Sequence, residues 1–104
     1  MKKPTFAQLM REIEAEARAE GPAALAQLEL MRERYFIGGQ LAQLRKAQKL
    51  SQPQLAKRSG VQQADISRIE RGALNARTDT LAKLGRAMGV RLAFVDKKKR
   101  ALAV

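Results

Sequence analysis

The chain has 104 residues, which is enough for one small domain and an extension. It contains no cysteine and no histidine, and this excludes disulfides, thiolate metal sites and catalysis by a Ser-His or Cys-His pair. With neither an apolar run of membrane length nor a secretory signal in its first residues, the chain is expected to be a soluble cytoplasmic protein. We expect no metal, no cofactor and no enzymatic activity.

The net charge of +11 is unevenly distributed along the chain. Residues 1–36 contain six Lys or Arg and six Glu, whereas residues 37–104 contain fifteen Lys or Arg against four Asp or Glu. Such an excess of positive charge attracts a polyanion, and the candidates are DNA, RNA and an anionic membrane surface. The alternative is a basic surface that only keeps the protein soluble. Any nucleic-acid binding is therefore expected in the second part of the chain.

The first part of the chain predicts a helical N-terminal extension over residues 1–37. Thr5 and Gln8 form a capping-box pattern that opens a helix over 5–20. A second helix, over 23–36, carries apolar residues on more than one side. That is more apolar surface than a helix of a small domain usually buries against its own core.

Gly38 and Gly39 allow two interpretations of the boundary between extension and domain. In the first, they break the chain between a helix over 23–36 and another over 39–48. In the second, one helix continues through to Lys49, since isolated glycines destabilise a helix by only about 1 kcal/mol each. The sequence alone is compatible with both.

The domain, residues 38–95, is predicted to contain only helices before its last residues. The predicted helices span 39–48, 52–59, 63–71 and 79–88. In the first of them, Leu41 is expected to face the core and Arg45 the solvent. Ser51 is expected to cap the second helix through a capping box, and Thr78 is expected to cap the last.

Residues 52–71 carry the pattern of two short helices that meet at a tight turn. Ala56 is small where the two helix axes cross, and Gly60 permits the left-handed backbone that such a turn usually needs. Ile66 and Ile69 lie three residues apart and form the inner face of the second helix. This is the helix-turn-helix pattern, which places its second helix in the major groove of DNA. An unrelated helical hairpin is the alternative.

The outward face of the second helix offers side chains suited to reading base edges. Gln can bond bidentately to adenine, Arg can do the same to guanine, and the Ala methyl group can contact thymine. The predicted base contacts are Gln62, Gln63, Ala64, Ser67 and Arg68. The phosphates on either side need hydrogen-bond donors. The predicted phosphate contacts are Gln52, Lys57, Arg58, Arg71, Arg77 and Thr78.

Residues 90–95 alternate in polarity and are rich in β-forming residues, which predicts a short strand. A single strand cannot satisfy its own backbone hydrogen bonds, and the sequence predicts no second strand. The strand therefore either pairs with the same strand of a second copy, through Val90, Leu92 and Phe94, or lies extended on the domain. Residues 96–104 are predicted to be a basic, solvated and mobile tail that adds non-specific attraction to phosphate.

Three motifs in residues 41–95 indicate a family. They are Leu-Ser-Gln-x-x-Leu-Ala at 50–56, Ile-Ser-Arg-Ile-Glu-Arg-Gly at 66–72 and Thr-Leu-x-x-Leu at 80–84. The motifs resemble the Xre family, the phage-repressor type of helix-turn-helix protein. The resemblance implies an all-α, five-helix, repressor-like domain that binds double-stranded DNA. Together with the predicted pairing strand, it implies a homodimer on an inverted-repeat operator.

The order of helical extension, helix-turn-helix domain and short β-like ending is similar to antitoxins of the HigA type. This narrower resemblance implies a protein that neutralises a RelE/HigB-like ribonuclease toxin and represses its own operon. The toxin-binding residues of the extension would be Phe6, Leu9, Ile13, Leu25, Leu28, Met31 and Tyr35. Glu12 and Glu16 favour a basic partner, because like charges four residues apart on an exposed face are mildly destabilising unless such a partner covers them.

Two other functions are compatible with the sequence. The first is a stand-alone, prophage-type transcriptional regulator whose extension only stabilises the dimer. The second is an adaptor whose helix-turn-helix fold binds proteins instead of DNA. The basic balance of residues 37–104 argues against an adaptor.

Overall fold

The computed structural model describes residues 3–101, which form five α-helices and no β-sheet. The helices are α1 (Phe6–Glu20), α2 (Pro22–Ala47), α3 (Gln52–Ser59), α4 (Gln63–Glu70) and α5 (Thr78–Ala87). The predicted all-α class is confirmed. Residues 1–37, the predicted extension, contain α1 and the first part of α2. Nowhere in this part of the chain is a helix both long and apolar enough to cross a bilayer.

Capping boxes begin α1 and α3, as predicted. Before α1, the Thr5 N–H donates to Gln8 Oε1 at 2.8 Å and the Gln8 N–H donates to Thr5 Oγ1 at 3.2 Å. The same reciprocal pair joins Ser51 and Gln54 before α3, at 2.8 and 3.1 Å. Each pair satisfies two backbone N–H groups that have no acceptor within the helix, and this fixes where the helix begins.

The predicted cap of the last helix is wrong by one position. Thr78 is the first residue of α5, and Arg77 occupies the cap position with an extended backbone and no side-chain hydrogen bond to the helix. The carboxylate of Asp79 accepts the Thr80 N–H at 3.0 Å. Because this carboxylate satisfies a donor of the first turn, the helix begins without a hydroxyl cap.

α2 is a single helix of 26 residues that passes through the glycine pair without a break. Of the two interpretations offered by the sequence, the continuous helix is confirmed, and the separate helices over 23–36 and 39–48 are wrong. The reason for Gly38 is packing: a Cβ atom there would overlap the carbonyl oxygen of Ile69 and lie 3.0 Å from that of Glu70. The glycine therefore lets α2 approach the C-terminal end of α4 closely.

The core lies where the second half of α2 meets α3, α4 and α5. Leu55, Ile66 and Leu84 are fully buried in it. The other buried members are Leu41, Leu50, Val61, Ile69 and Met88, and all eight belong to one cluster. The inner faces predicted from helical spacing are thus confirmed, and they fix the orientation of α4.

The C-terminal segment differs from the predicted strand. Residues 90–94 have no regular structure within the single chain, and only Val95 forms an isolated antiparallel bridge, to Ala101. A regular strand needs a continuous partner, and the described part of the chain supplies just this one-residue bridge. The side chains of Val90, Leu92 and Phe94 are exposed.

The basic run over 97–100 is solvent-exposed, as predicted, and it contains a turn. Oδ1 of Asp96 accepts the N–H groups of Lys98 and Arg100 at 2.9 and 3.0 Å. Nε of Arg100 donates to the other carboxylate oxygen at 3.0 Å. The backbone N–H of Arg100 is the main reason that the pKa of Asp96 lies below its ordinary value. The last three predicted tail residues, 102–104, lie outside the described residues.

Candidate nucleic-acid interface

The turn between α3 and α4 has the geometry that the sequence predicts. Gly60 ends α3 in the left-handed region, with φ +77°, and its N–H donates to the carbonyl of Ala56 at 2.9 Å. Val61 is buried at the corner, and its N–H donates to Ser59 Oγ at 3.1 Å. Gln62 then takes an extended backbone at the cap position of α4, without a side-chain hydrogen bond to the helix. Its amide is therefore free to contact another molecule.

α4 divides its side chains sharply between core and solvent. Ile66 and Ile69 are 0% and 2% exposed and anchor the helix to the core. The predicted base contacts lie on the other side: Gln62, Gln63, Ala64 and Arg68 are exposed, and Ser67 is half-buried. The five predicted base contacts thus lie on the side of α4 away from Ile66 and Ile69, from the cap position Gln62 to Arg68 in the last turn. A major groove about 12 Å wide can accommodate a helix that presents such a surface.

Arg68 is loosely held in the free protein. Its Nη1 lies 3.4 Å from Oδ1 of Asp65, and the two side chains are 54% and 38% exposed. An exposed pair of this kind contributes at most about 1 kcal/mol. Arg68 can therefore exchange the Asp65 carboxylate for a guanine edge at little cost.

The predicted phosphate contacts are more widely distributed. Lys57 and Arg58 lie in the last turn of α3, next to the turn, and Arg71 caps the C-terminal end of α4. Arg77 and Thr78 lie at the N-terminal end of α5. All five side chains are exposed. Arg77 also pairs with Asp79 at 3.4 Å, but with 83% of its own side chain in solvent.

Gln52, the sixth predicted phosphate contact, is already engaged. Its Nε2 donates to Oε1 of Glu70 at 3.1 Å. Among the first backbone N–H groups of α3, those of Gln54 and Leu55 have acceptors in Ser51. Pro53 has no N–H, so the N–H of Gln52 is the donor at this helix end that has no acceptor within residues 3–101. At the start of α3 the backbone N–H of Gln52, more than its side chain, is thus available to an acceptor such as a phosphate oxygen.

A buried ion pair holds the C-terminal end of α4 against α2. Arg45 donates to Glu70 through Nε at 2.7 Å and through Nη2 at 2.9 Å, and through Nη1 to the carbonyl oxygen of Leu50 at 2.8 Å. The side chains of Arg45 and Glu70 are 10% and 7% exposed. The network thus links α2, the loop before α3 and the end of α4.

The pKa values of the pair reflect this geometry. Burial by itself raises the pKa of Glu70, but hydrogen bonds from Arg45 and Gln52 outweigh it, so that the pKa lies below its ordinary value. The hydrogen bond to Glu70 likewise raises the pKa of Arg45. Both groups are therefore charged at neutral pH.

The prediction that Arg45 faces solvent is wrong. The signal that could have found Arg45 is the position of Glu70, four residues after the buried Ile66 and hence on the inner face of α4. A carboxylate on an inner face requires a buried cation or donor.

The hairpin of α1 and the first half of α2 holds the predicted toxin-binding residues. Leu25 and Leu28 are half-buried between the helices, whereas Phe6, Leu9, Ile13, Met31 and Tyr35 are exposed. All seven residues thus belong to this hairpin, and five of them contribute exposed apolar surface.

The fold and the exposed face of α4 define a helix-turn-helix protein, and the comparison with known families agrees. Residues 41–95 match the family HTH_3, described as helix-turn-helix. The chain therefore belongs to the HTH_3 helix-turn-helix family. The predicted resemblance to Xre-type proteins is confirmed at the level of this family.

Two similar proteins and one similar solved structure are named as transcriptional regulators. The chain is 41% identical over 62 residues to the uncharacterized HTH-type transcriptional regulator y4dL of Sinorhizobium fredii, covering 60% of this chain and 32% of that protein. It is 39% identical over 57 residues to the regulator y4dJ of the same species, covering 55% and 74%. The crystal structure of an HTH_3 family transcriptional regulator from Vibrio cholerae is similar with a TM-score of 0.57 and 31% identity, covering 59% of this chain and 34% of that one. The match thus spans about a third of y4dL and of the Vibrio protein.

Proposed function

We propose that this protein is a sequence-specific, DNA-binding transcriptional regulator. One observation carries the proposal: α4 is anchored by Ile66 and Ile69 while Gln62, Gln63, Ala64 and Arg68 face solvent together. Amide, guanidinium and methyl groups on one short helix surface match what base edges in the major groove present. The regulatory names of its relatives support the proposal.

The proposed DNA complex contains two copies of the chain. Each α4 enters one half-site of an inverted repeat, and the six predicted phosphate contacts hold the helix in register. The exposed Val90, Leu92 and Phe94 are the proposed dimer contacts. We propose residues 38–95 as the DNA-binding unit. Such a target implies action in the cytoplasm, at the nucleoid.

A titration on the gene's own promoter tests this function. Binding of the full chain to that fragment and to a base-shuffled fragment is compared by gel shift at near-physiological salt. A regulator should prefer the promoter by at least about 10³-fold. Equal binding to both fragments would contradict the proposal and favour a protein-binding adaptor.

We further propose that the regulator is a repressor and the antitoxin of a type II toxin–antitoxin module. In this role residues 1–37 bind a RelE/HigB-like toxin, and the dimer represses its own operon. The support is the hairpin: exposed apolar residues such as Phe6 and Tyr35 have no role in the DNA contacts proposed above. Base reading does not require them.

Co-expression with the product of the adjacent gene tests the antitoxin role. The full chain should restore growth, and a chain lacking residues 1–36 should not. If the truncated chain protects equally well, the extension is not the neutralising element. If the adjacent gene encodes no growth inhibitor, the protein is better described as a stand-alone regulator.

A further inference from the structure

The α1–α2 hairpin carries an apolar groove along its exposed face. Ile13, Leu28 and Met31 lie at the middle of the groove and line both of its halves. The half nearer the domain has a volume of about 720 Å³, and Phe6 and Tyr35 are among its walls. The half nearer the hairpin tip is smaller, about 200 Å³. The core of the domain does not use this surface.

The groove is long enough for a helix. It follows α1 from Phe6 to Glu20, and a rise of about 1.5 Å per residue gives it a length of roughly 21 Å. This length corresponds to about four helical turns, or some 14 residues. An apolar stripe on such a helix would cover the exposed Phe6, Ile13 and Met31.

The smaller half of the groove has an acidic edge, whereas Arg32, in the wall of the larger half, is paired with Glu14. Glu16 and Glu20 line the half near the tip, and Glu12 continues the same row at intervals of four residues along α1. Within residues 3–101, none of these three carboxylates is in an ion pair. Glu14, in contrast, pairs with Arg18 and Arg32 at 2.8 and 3.2 Å. The hairpin therefore neutralises Glu14 but not the row beside the groove.

We propose that this groove binds an amphipathic helix of a partner protein, with an apolar face and Lys or Arg along one edge. The apolar face fills the groove, and the basic edge lies against Glu12, Glu16 and Glu20. An acidic edge repels nucleic acid and anionic lipid, so the occupant is a protein. A hairpin of a second copy fits less well, because residues 1–36 have no net positive charge. The inference rests on the proposal that the hairpin binds a protein, and it specifies the chemistry of that protein.

A synthetic peptide of 14 residues serves as the probe. It carries Leu at helical spacing on one face and Lys along one edge, and a matched peptide has Glu in place of each Lys. Binding of each labelled peptide to the full chain is measured by fluorescence anisotropy at 0.15 M salt, where a Debye length of about 8 Å screens the distant basic domain. We expect the Lys peptide to bind at least about tenfold more tightly. Replacing Glu12, Glu16 and Glu20 together by Gln should remove this preference.

Two substitutions on α2 distinguish peptide binding in the groove from binding elsewhere on the helix. Met31→Glu places a charge in the middle of the groove and should abolish peptide binding. Leu30→Glu is the matched control, because Leu30 is 59% exposed and lies outside the groove. Both variants should keep wild-type helicity and promoter affinity, so that a loss of binding cannot be attributed to unfolding.

Several outcomes would overturn the inference. The first is equal affinity for the two peptides, and the second is an equal effect of Met31→Glu and Leu30→Glu on peptide binding. The third is a wild-type dimer that Met31→Glu dissociates, because this would identify a second copy as the occupant of the groove. The antitoxin role is tested separately. If Met31→Glu still neutralises the toxin and neither peptide is preferred, the groove inference fails and the antitoxin role stands. If the adjacent gene encodes no toxin but the peptide results are as expected, the antitoxin role fails and the groove inference stands.

Discussion

Among single residues, Glu70 connects three helices through the hydrogen bonds of its side chain. It lies at the end of α4 and accepts hydrogen bonds from Arg45 of α2 and Gln52 of α3. Both charged side chains are nearly excluded from water, so their attraction offsets a large desolvation penalty. Removal of one partner leaves the other as an uncompensated buried charge.

Glu70→Gln should therefore lower the free energy of unfolding by about 3–5 kcal/mol, as measured by urea denaturation followed by circular dichroism. Asp79→Asn is the matched control, because the Arg77–Asp79 pair is exposed. Its effect should not exceed about 1 kcal/mol. Similar losses in the two variants would mean that the buried pair has no special role.

The same pair gives stability a defined pH dependence. The pKa of Glu70 is lower in the folded protein than its ordinary value of 4.5, because the hydrogen bonds from Arg45 and Gln52 outweigh the effect of burial. The stability that this depressed pKa provides is fully present above pH 4.5 and is lost as the pH falls through the folded-state pKa. The difference in unfolding free energy between wild type and Glu70→Gln should thus narrow from pH 7 toward pH 3. A difference that stays constant over this range would contradict the assignment.

Sequence patterns identify residues whose role is local. The capping pairs Thr5–Gln8 and Ser51–Gln54 are three residues apart, so a short pattern contains the whole interaction. Arg45 pairs with a residue 25 positions further along the chain. Helical spacing alone therefore does not distinguish it from a surface arginine. Its burial depends on how α2 and α4 meet.

At the scale of elements, α4 is expected to read bases with a few side chains. Gln63→Ala and Arg68→Ala should each weaken binding to the preferred operator by about 1–3 kcal/mol and relax the base preference at one position in each half-site. The measurement is a competition assay over operators with single base-pair changes. A variant that keeps the wild-type preference would remove its residue from the reading surface.

The crossing of α2 and α4 should tolerate a methyl group at one glycine and not at its neighbour. Gly38→Ala places a Cβ against the carbonyl oxygens of Ile69 and Glu70, and should destabilise the protein by about 1–3 kcal/mol. Gly39→Ala has no atom within 4 Å of the added Cβ and should stabilise α2 by up to about 1 kcal/mol. Thermal unfolding of the two variants checks both signs. Two changes of the same sign would contradict the close approach.

The element that sequence patterns describe least well is α2. A Gly-Gly pair has low helix propensity, so local preference allows a break as readily as a helix. The helix continues because Gly38 fits against the end of α4, which is a tertiary contact. The helix-turn-helix itself was predictable, because its turn, inner face and caps all lie within 21 consecutive residues, 51–71.

For the whole molecule, the separation of charge is expected to appear in the salt dependence of DNA binding. Arg71→Ala and Arg77→Ala should each weaken binding to all DNA sequences alike and reduce the slope of log K against log salt by about 0.9. Arg18→Ala on the hairpin is the control and should leave the slope unchanged. A similar decrease in all three variants would show that the hairpin also contacts the DNA backbone.

Charge can be summed along a sequence, so the basic part of the chain was predictable without a structure. The groove was not, because its walls come from two helices whose facing sides are set only when the hairpin closes. The seven residues predicted to contact a toxin all lie on this hairpin. Which of them share one groove emerges from the three-dimensional structure.

The continuity of α2 has a consequence for how a partner and an operator are held together. Its first half forms a wall of the groove, its second half lies against α4, and its 26 residues span about 39 Å without a joint. A helix docked in the groove would thus be carried at a fixed distance and angle from the bases that α4 reads. On an operator with half-sites about 34 Å apart, the DNA would set the separation between two docked partners. Changing the half-site spacing by a few base pairs would then alter how well two partners fit side by side.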